Sequence, residues 1–246
     1  TTAVGDGAHA VTDLSTAIGA RAIAEGRQIE GDGSPCAGAT VVGNEATSLG
    51  CSTTSLGFGS QANGSSSTAV GARAESWGVN ASAFGAGASA SDTGTAIGSN
   101  TSVSGAYGVA LGSGASAGAT LGTAIGARSK ADADGCVALG SFSECTNSDE
   151  ASVGNAGYGI YRRVTNLANG VNDTDAASVG QLRTMATAIG GGASFVNGVF
   201  VPPSITLSSG NTHTNVTAAI YDLDGRLHNL EKNPGGGSQG PAGPAG

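Results

Sequence analysis

Thr123-Ala124-Ile125-Gly126 is one copy of a phrase that recurs through the first 154 residues: a small polar residue, a small residue, a large apolar residue and a glycine. The closing glycines are Gly5, Gly19, Gly43, Gly57, Gly71, Gly85, Gly98, Gly112, Gly126, Gly140 and Gly154, spaced by 14 residues except for one interval of 24 and one of 13. A fixed period of this kind marks a repeat architecture. The residue before each glycine is always apolar: Val4, Ile18, Val42, Leu56, Val70, Phe84, Ile97, Leu111, Ile125, Leu139 or Val153.

Working outward from the phrase, a second beat of small residues falls three and five positions after the glycine, as in Ala22 and Ala24, Ala88 and Ala90, or Ala115 and Ala117. Spacing of two is strand spacing. Fourteen residues hold two short strands and two tight turns, and a lone coil of that size cannot bury its apolar face, so coils must stack. Parallel strands stack roughly 4.8 Å apart, so eleven coils make a rod about 50 Å long. The reading is a β-solenoid with glycine at corners that need positive φ or close backbone approach. Within the phrase, the large apolar residue is expected to face the core. The alternate position, Ala3, Ala17, Ala69, Ala83, Ala96, Ala110, Ala124 and Ala138, is expected to form a flat uncharged ladder on the opposite face, open to close approach by another solenoid.

Composition fits this reading. Of 246 residues 44 are glycine, 11% are charged and 4% aromatic, which leaves no conventional large-residue core. A fixed apolar period separates the chain from disordered sequences of similar glycine content. The net charge of −8, without any Lys/Arg cluster, argues against a nucleic-acid partner. No apolar run is long enough to span a membrane as a helix, and the opening residues do not read as a signal peptide. The chain opens inside a repeat, so it is expected to be a piece of something longer.

The 24-residue interval carries ten extra residues of loop composition. Arg27, Gln28, Ile29, Glu30 and Asp32 in it are a candidate binding loop on a rigid scaffold, although Glu30 and Asp32 are too few for a calcium loop. The cysteines fall into two local pairs. Cys36 and Cys51 are 15 residues apart, close to one period, and are placed on adjacent coils, whereas Cys136 and Cys145 flank one phrase and can meet across a single coil. Their even number and pairwise placement point to disulfides and an oxidising compartment.

After Gly154 the period stops. Arg163, Val164, Leu167, Gly170, Asp175, Ala176, Val179, Gln181 and Leu182 resemble the neck of trimeric autotransporter adhesins, and the preceding array resembles their YadA-like head. Ala177 and Ser178 stand where such necks commonly carry Val-Asn. The resemblance implies an all-β plus coiled-coil fold: a trimer of left-handed parallel β-rolls, joined by a neck in which the chains cross over and narrow into a coiled coil. Val179, Leu182, Ala186 and Ile189 independently follow a three-four-three helical spacing, which Gly190-Gly191-Gly192 ends. Phe195 to Leu207, with Pro202-Pro203 inside, reads as short strands. Val216, Ile220, Leu223, Leu227 and Leu230 then form a heptad seam, opened by a cap at Thr214 or Asn215 and closed before Pro234. The strand-then-helix unit is similar to the GIN or Trp-ring insertions of the same family, and closer to GIN because Trp77 is the chain's one tryptophan.

The expected organisation is therefore a β-roll head over 1–154, a neck over 155–185, a β-rich unit over 186–213, a coiled-coil stalk over 214–233 and a Gly/Pro-rich tail over 234–246. The tail is in Gly-X-Y register, which reads as collagen-like or as a linker. His9, His213 and His228 lie in no nucleophile motif and the serines follow the repeat phase, so no catalytic site, metal or cofactor is expected. The resemblance implies a non-enzymatic homotrimeric bacterial surface adhesin that binds host extracellular matrix of the collagen, fibronectin or laminin class. Its family anchors such chains in the outer membrane by a C-terminal β-barrel that is absent from this sequence. The alternatives are a trimeric phage fibre and an ice- or mineral-binding solenoid. The latter rests on the threonine column Thr2, Thr16, Thr40, Thr54, Thr68, Thr95 and Thr123, which this reading places on a buried face.

Overall fold

A computed structural model describes residues 1–26 and 36–233. The chain divides into two compact units, Thr1–Arg163 and Val164–Gly246. The first is a parallel β-solenoid. One strand of each coil contributes to an 11-stranded sheet that starts at Thr2–Val4 and ends at Ala151–Ser152, and the other to a 10-stranded sheet from His9–Ala10 to Glu144–Cys145. Neighbouring coils pair in parallel and in phase, so Val109, Ala110 and Leu111 stand beside Thr123, Ala124 and Ile125. The repeat thus sets the register, and like residues stack in columns.

The faces of the phrase are reversed relative to expectation. Ala17, Ala69, Ala83, Ala96, Ala110, Ala124 and Ala138 have no exposed surface and fill the inside of the coil, whereas Ile97 is 41% and Leu111 43% exposed. The reason is width. Cys136, just before a strand of the larger sheet, and Cys145, in a strand of the smaller, have Cα atoms 6.1 Å apart. Sheets packed through ordinary side chains lie roughly 10 Å apart. A coil this narrow accepts only small residues, so bulk must point outward. Apart from Val41, Val103, Cys136 and Cys145, every buried apolar residue of the described coils is alanine.

Small inward residues include hydroxyls, which are satisfied internally. Ser55 bonds Ser60 at 2.7 Å, Ser76 donates to Ser67 at 2.9 Å, and Ser143 donates to the Gly140 carbonyl at 2.7 Å. These bonds offset the desolvation of polar groups in an alanine-lined interior. Glycine serves close stacking at the corner: at Gly112, with φ +128°, a Cβ would sit 2.7 Å from the carbonyl carbon of Gly126 in the next coil.

In the second unit, helix α1 (Val179–Ile189) begins at a capping box in which Ser178 accepts from the Gln181 amide and Gln181 reaches back to the Ser178 amide. Ser194–Val196 pairs antiparallel with Val199–Val201, and Ile205–Thr206 with Thr212–His213. Helix α2 (Val216–Lys232) is capped by Asn215, whose Oδ1 accepts from the Ala218 amide at 2.7 Å. Each helix buries a single residue within the chain, Ala186 in α1 and Ala219 in α2.

Candidate functional site

The solenoid offers two outward faces of opposite character. On the larger sheet, Leu56, Phe84, Ile97, Leu111 and Leu139 project into solvent one above the other, in the register that pairs Phe84 with Ile97 and Leu111 with Ile125. Such a column is a continuous apolar stripe, and stripes of this extent mark association surfaces. The threonine column lies on the same outward face, Thr2 beside Thr16 and Thr54 beside Thr68. The expectation that it is buried is therefore corrected: it flanks bulky apolar side chains on the outside.

On the smaller sheet the outward residues are polar apart from Ile23, with Gln61, Glu75, Ser89, Ser102 and Ser116 in consecutive coils. Trp77 extends this face, half exposed, with its indole N–H donating to Glu75 Oε2 at 3.0 Å. The turns carry charge and aromatic rings. Arg21 bonds Glu45 across neighbouring coils at 3.1 Å, Arg73 lies over the ring of Phe58 and Arg128 over that of Phe142.

The candidate loop residues Arg27, Gln28, Ile29, Glu30 and Asp32 lie outside the described residues. At the base of that loop Cys36 and Cys51 are bonded, with Cα atoms 5.1 Å apart, and Cys136 is bonded to Cys145 across a coil. The solenoid ends in a turn that the sequence did not reveal. Arg162 donates one hydrogen bond to the Val153 carbonyl and another to the Ser141 carbonyl, each at 2.6 Å, closing carbonyls of the terminal coil that have no following strand. A lone Arg next to Arg163 gives no periodic signal, so only geometry distinguishes them.

The neck residues are tied together in part. Gln181 accepts from the Gly170 amide and donates to the Gly170 carbonyl, both at 2.9 Å, so one side chain pins the segment before the helix to its first turn. Asp175 Oδ2 accepts from the amides of Asn172 and Val171, both at 2.9 Å, which holds its carboxyl below the ordinary range. Val164 and Val179 are exposed and Leu182 is half-buried. Of the histidines, His9 and His228 are exposed, while His213 Nε2 lies 2.9 Å from Asp222 Oδ2 and links the last strand to α2. Among the described residues no group of three or more His, Cys, Asp or Glu is placed to hold a metal ion.

With stacked coils, outward stripe and pinned neck in view, comparison with known proteins is informative. The YadA head domain repeat matches residues 1–22, 52–74, 92–115 and 117–143, and the coiled stalk of trimeric autotransporter adhesins matches 163–204. The crystal structure of the collagen-binding domain of the Yersinia adhesin YadA superimposes with a TM-score of 0.58 at 32% identity, over 61% of this chain and 83% of that one. The trimeric autotransporter adhesin AtaA of Acinetobacter sp. (strain Tol 5) is 31% identical over 112 residues, 36% of this chain but only 3% of AtaA. The chain belongs to the YadA-like trimeric autotransporter adhesins, with head-repeat and stalk segments.

Proposed function

We propose that this chain is the head, neck and upper stalk of a non-catalytic homotrimeric adhesin that attaches a bacterium to host matrix. The observation that carries the reading is the apolar column from Val4 to Leu139, on a solenoid whose interior is already filled by alanine. Three left-handed rolls that turn these columns toward a common axis bury it, and the polar sheet is left outside. The seams of α1 and α2, Leu182 and Ile189 in the first and Ile220, Leu223 and Leu227 in the second, are covered in the same way by the other two chains in a trimeric coiled coil. The boundaries 1–154, 155–185, 186–213 and 214–233 divide these parts, with a GIN-like unit between the helices. In the whole protein, a C-terminal β-barrel holds the trimer in the outer membrane and the head stands at the cell surface.

The ligand class that the YadA comparison supports is collagen-like matrix protein. Attachment through a polar rod uses many weak contacts, multiplied by three chains and many rods per cell without a deep pocket. The test is binding of the intact chain, displayed on beads, to immobilised collagen, fibronectin and laminin. Collagen binding that disappears when residues 1–154 are removed and survives deletion of residues 27–34 supports the rod as the adhesive element. Binding retained by neck and stalk alone refutes it.

A further inference from the structure

We infer that the groove between Arg128, Lys130, Phe142 and Tyr158, at the lower end of the solenoid, binds an anionic sugar residue, one that carries a carboxylate or a sulfate. The cavity has a volume of about 280 Å³ and is also lined by Glu144 and Asn155, just under the roughly 300 Å³ at which drug-sized ligand pockets begin and so suited to a single sugar ring. It lies at the C-terminal end of the polar sheet proposed to meet matrix protein, and its test does not depend on that reading.

Charge is the first argument. The chain has a net charge of −8 and ten Lys and Arg in all, yet two of them point into this one groove. Neither forms an ion pair with another described residue. Lys130 stands beside Glu144 in the strand register, but Glu144 Oε2 is already engaged by Asn155 Nδ2 at 2.7 Å. Two cations therefore face one carboxylate, leaving an excess positive charge.

Shape is the second. The Arg128 guanidinium lies 5.6 Å from the Phe142 ring centroid, and Phe142 meets Tyr158 edge to face at 6.3 Å. Tyr158 is 74% exposed, yet its amide donates to the side-chain oxygen of Asn155 at 3.3 Å, which fixes the turn presenting it. A flat ring held in place beside a cation pair suits a pyranose, whose C–H face lies on the ring while its anion meets the cations. Gly114, with φ +67°, lines the rim beside Arg128. Glu144 decides between sugar and other anions. It opposes a ligand that is only an anion, whereas a sugar supplies hydroxyl donors for its remaining oxygen.

The molecule contains its own control. Arg73 also lies over an aromatic ring, that of Phe58 in the preceding coil, at 5.9 Å, whereas Arg128 lies over Phe142 in the following one. At the position equivalent to Lys130 the coil of Arg73 has Glu75, bonded to Trp77, so the second cation is missing. Calorimetric titration of the full chain with 3′-sialyllactose, a heparin-derived disaccharide and neutral lactose tests the site. At least one anionic sugar should bind at least tenfold tighter than lactose, and its preference tells carboxylate from sulfate. Arg128→Gln and Lys130→Gln should each weaken it about tenfold, the loss of one charge-assisted hydrogen bond. Arg128→Lys should retain most of the binding, and Arg73→Gln all of it. Circular dichroism checks that each variant is folded. Binding of lactose equal to the anionic sugars, no binding of either anion, or an Arg73→Gln effect equal to that of Arg128→Gln overturns the assignment.

Discussion

Asp175 shows how tightly the segment before α1 is fixed at the level of single atoms. The amides of Asn172 and then Val171 hold its carboxyl below the ordinary value of 3.8. A carboxyl depressed on folding stabilises the turn fully above its unfolded value, and that contribution disappears as pH falls through the lower folded value. Protection of the Val171 and Asn172 amides, the intrinsic exchange rate divided by the observed rate at the same pH, should therefore be high at neutral pH and fall only in acid below 3.8, whereas Asp175→Ala should show little protection throughout. Protection in the native chain that is already lost above that value would refute this account. Arg162 is the corresponding residue for the head. Arg162→Ala frees the carbonyls of Val153 and Ser141, and proteolysis should then begin at the last coil without loss of the upper ones. For the cysteines, non-reducing peptide mapping should recover Cys36 with Cys51 and Cys136 with Cys145; bridges between the two pairs would refute the coil alignment.

Each coil is a volume problem. Val103 is one of the few large inward residues, and its Cγ1 occupies space left by the glycines that precede the strands Thr95–Ile97 and Val109–Leu111. A Cβ on Gly94 would come within 2.7 Å of it and one on Gly108 within 2.8 Å. Gly108→Ala should destabilise the head by about 1–3 kcal/mol through overpacking, and Val103→Ala in the same chain should recover much of that. Additive losses in a thermal-unfolding double-mutant cycle would show that the two do not share the space. The same constraint explains what the sequence made legible. Period, in-phase parallel stacking, the corner glycines and both helices follow from spacing, and spacing survives in a linear string. The inside and outside of the phrase were misread because hydropathy assigns Ile125 to a core and leaves Ala124 free. Coil width decides otherwise, and no local pattern in one chain reports width. The Arg128, Lys130, Phe142 and Tyr158 groove was equally hidden, since its residues meet only when two coils and a turn are stacked.

For the whole molecule, the unfinished surface is the main fact. Leu111, Leu139, Ile220 and Leu227 are each more than two-fifths exposed in the single chain, and no packing among the described residues covers them. Obligate oligomers have no stability apart from assembly, so a charge in the column should act on association. Leu111→Lys points into water in a lone chain and into the common axis of a trimer. Ala124→Lys instead buries a charge inside the coil and should unfold it locally in any state of assembly. Equilibrium sedimentation of the chain at micromolar concentration is the direct test. The account predicts a species of three times the 23.3 kDa chain mass that Leu111→Lys dissociates. A folded, monodisperse monomer with the apolar column open to solvent would contradict it.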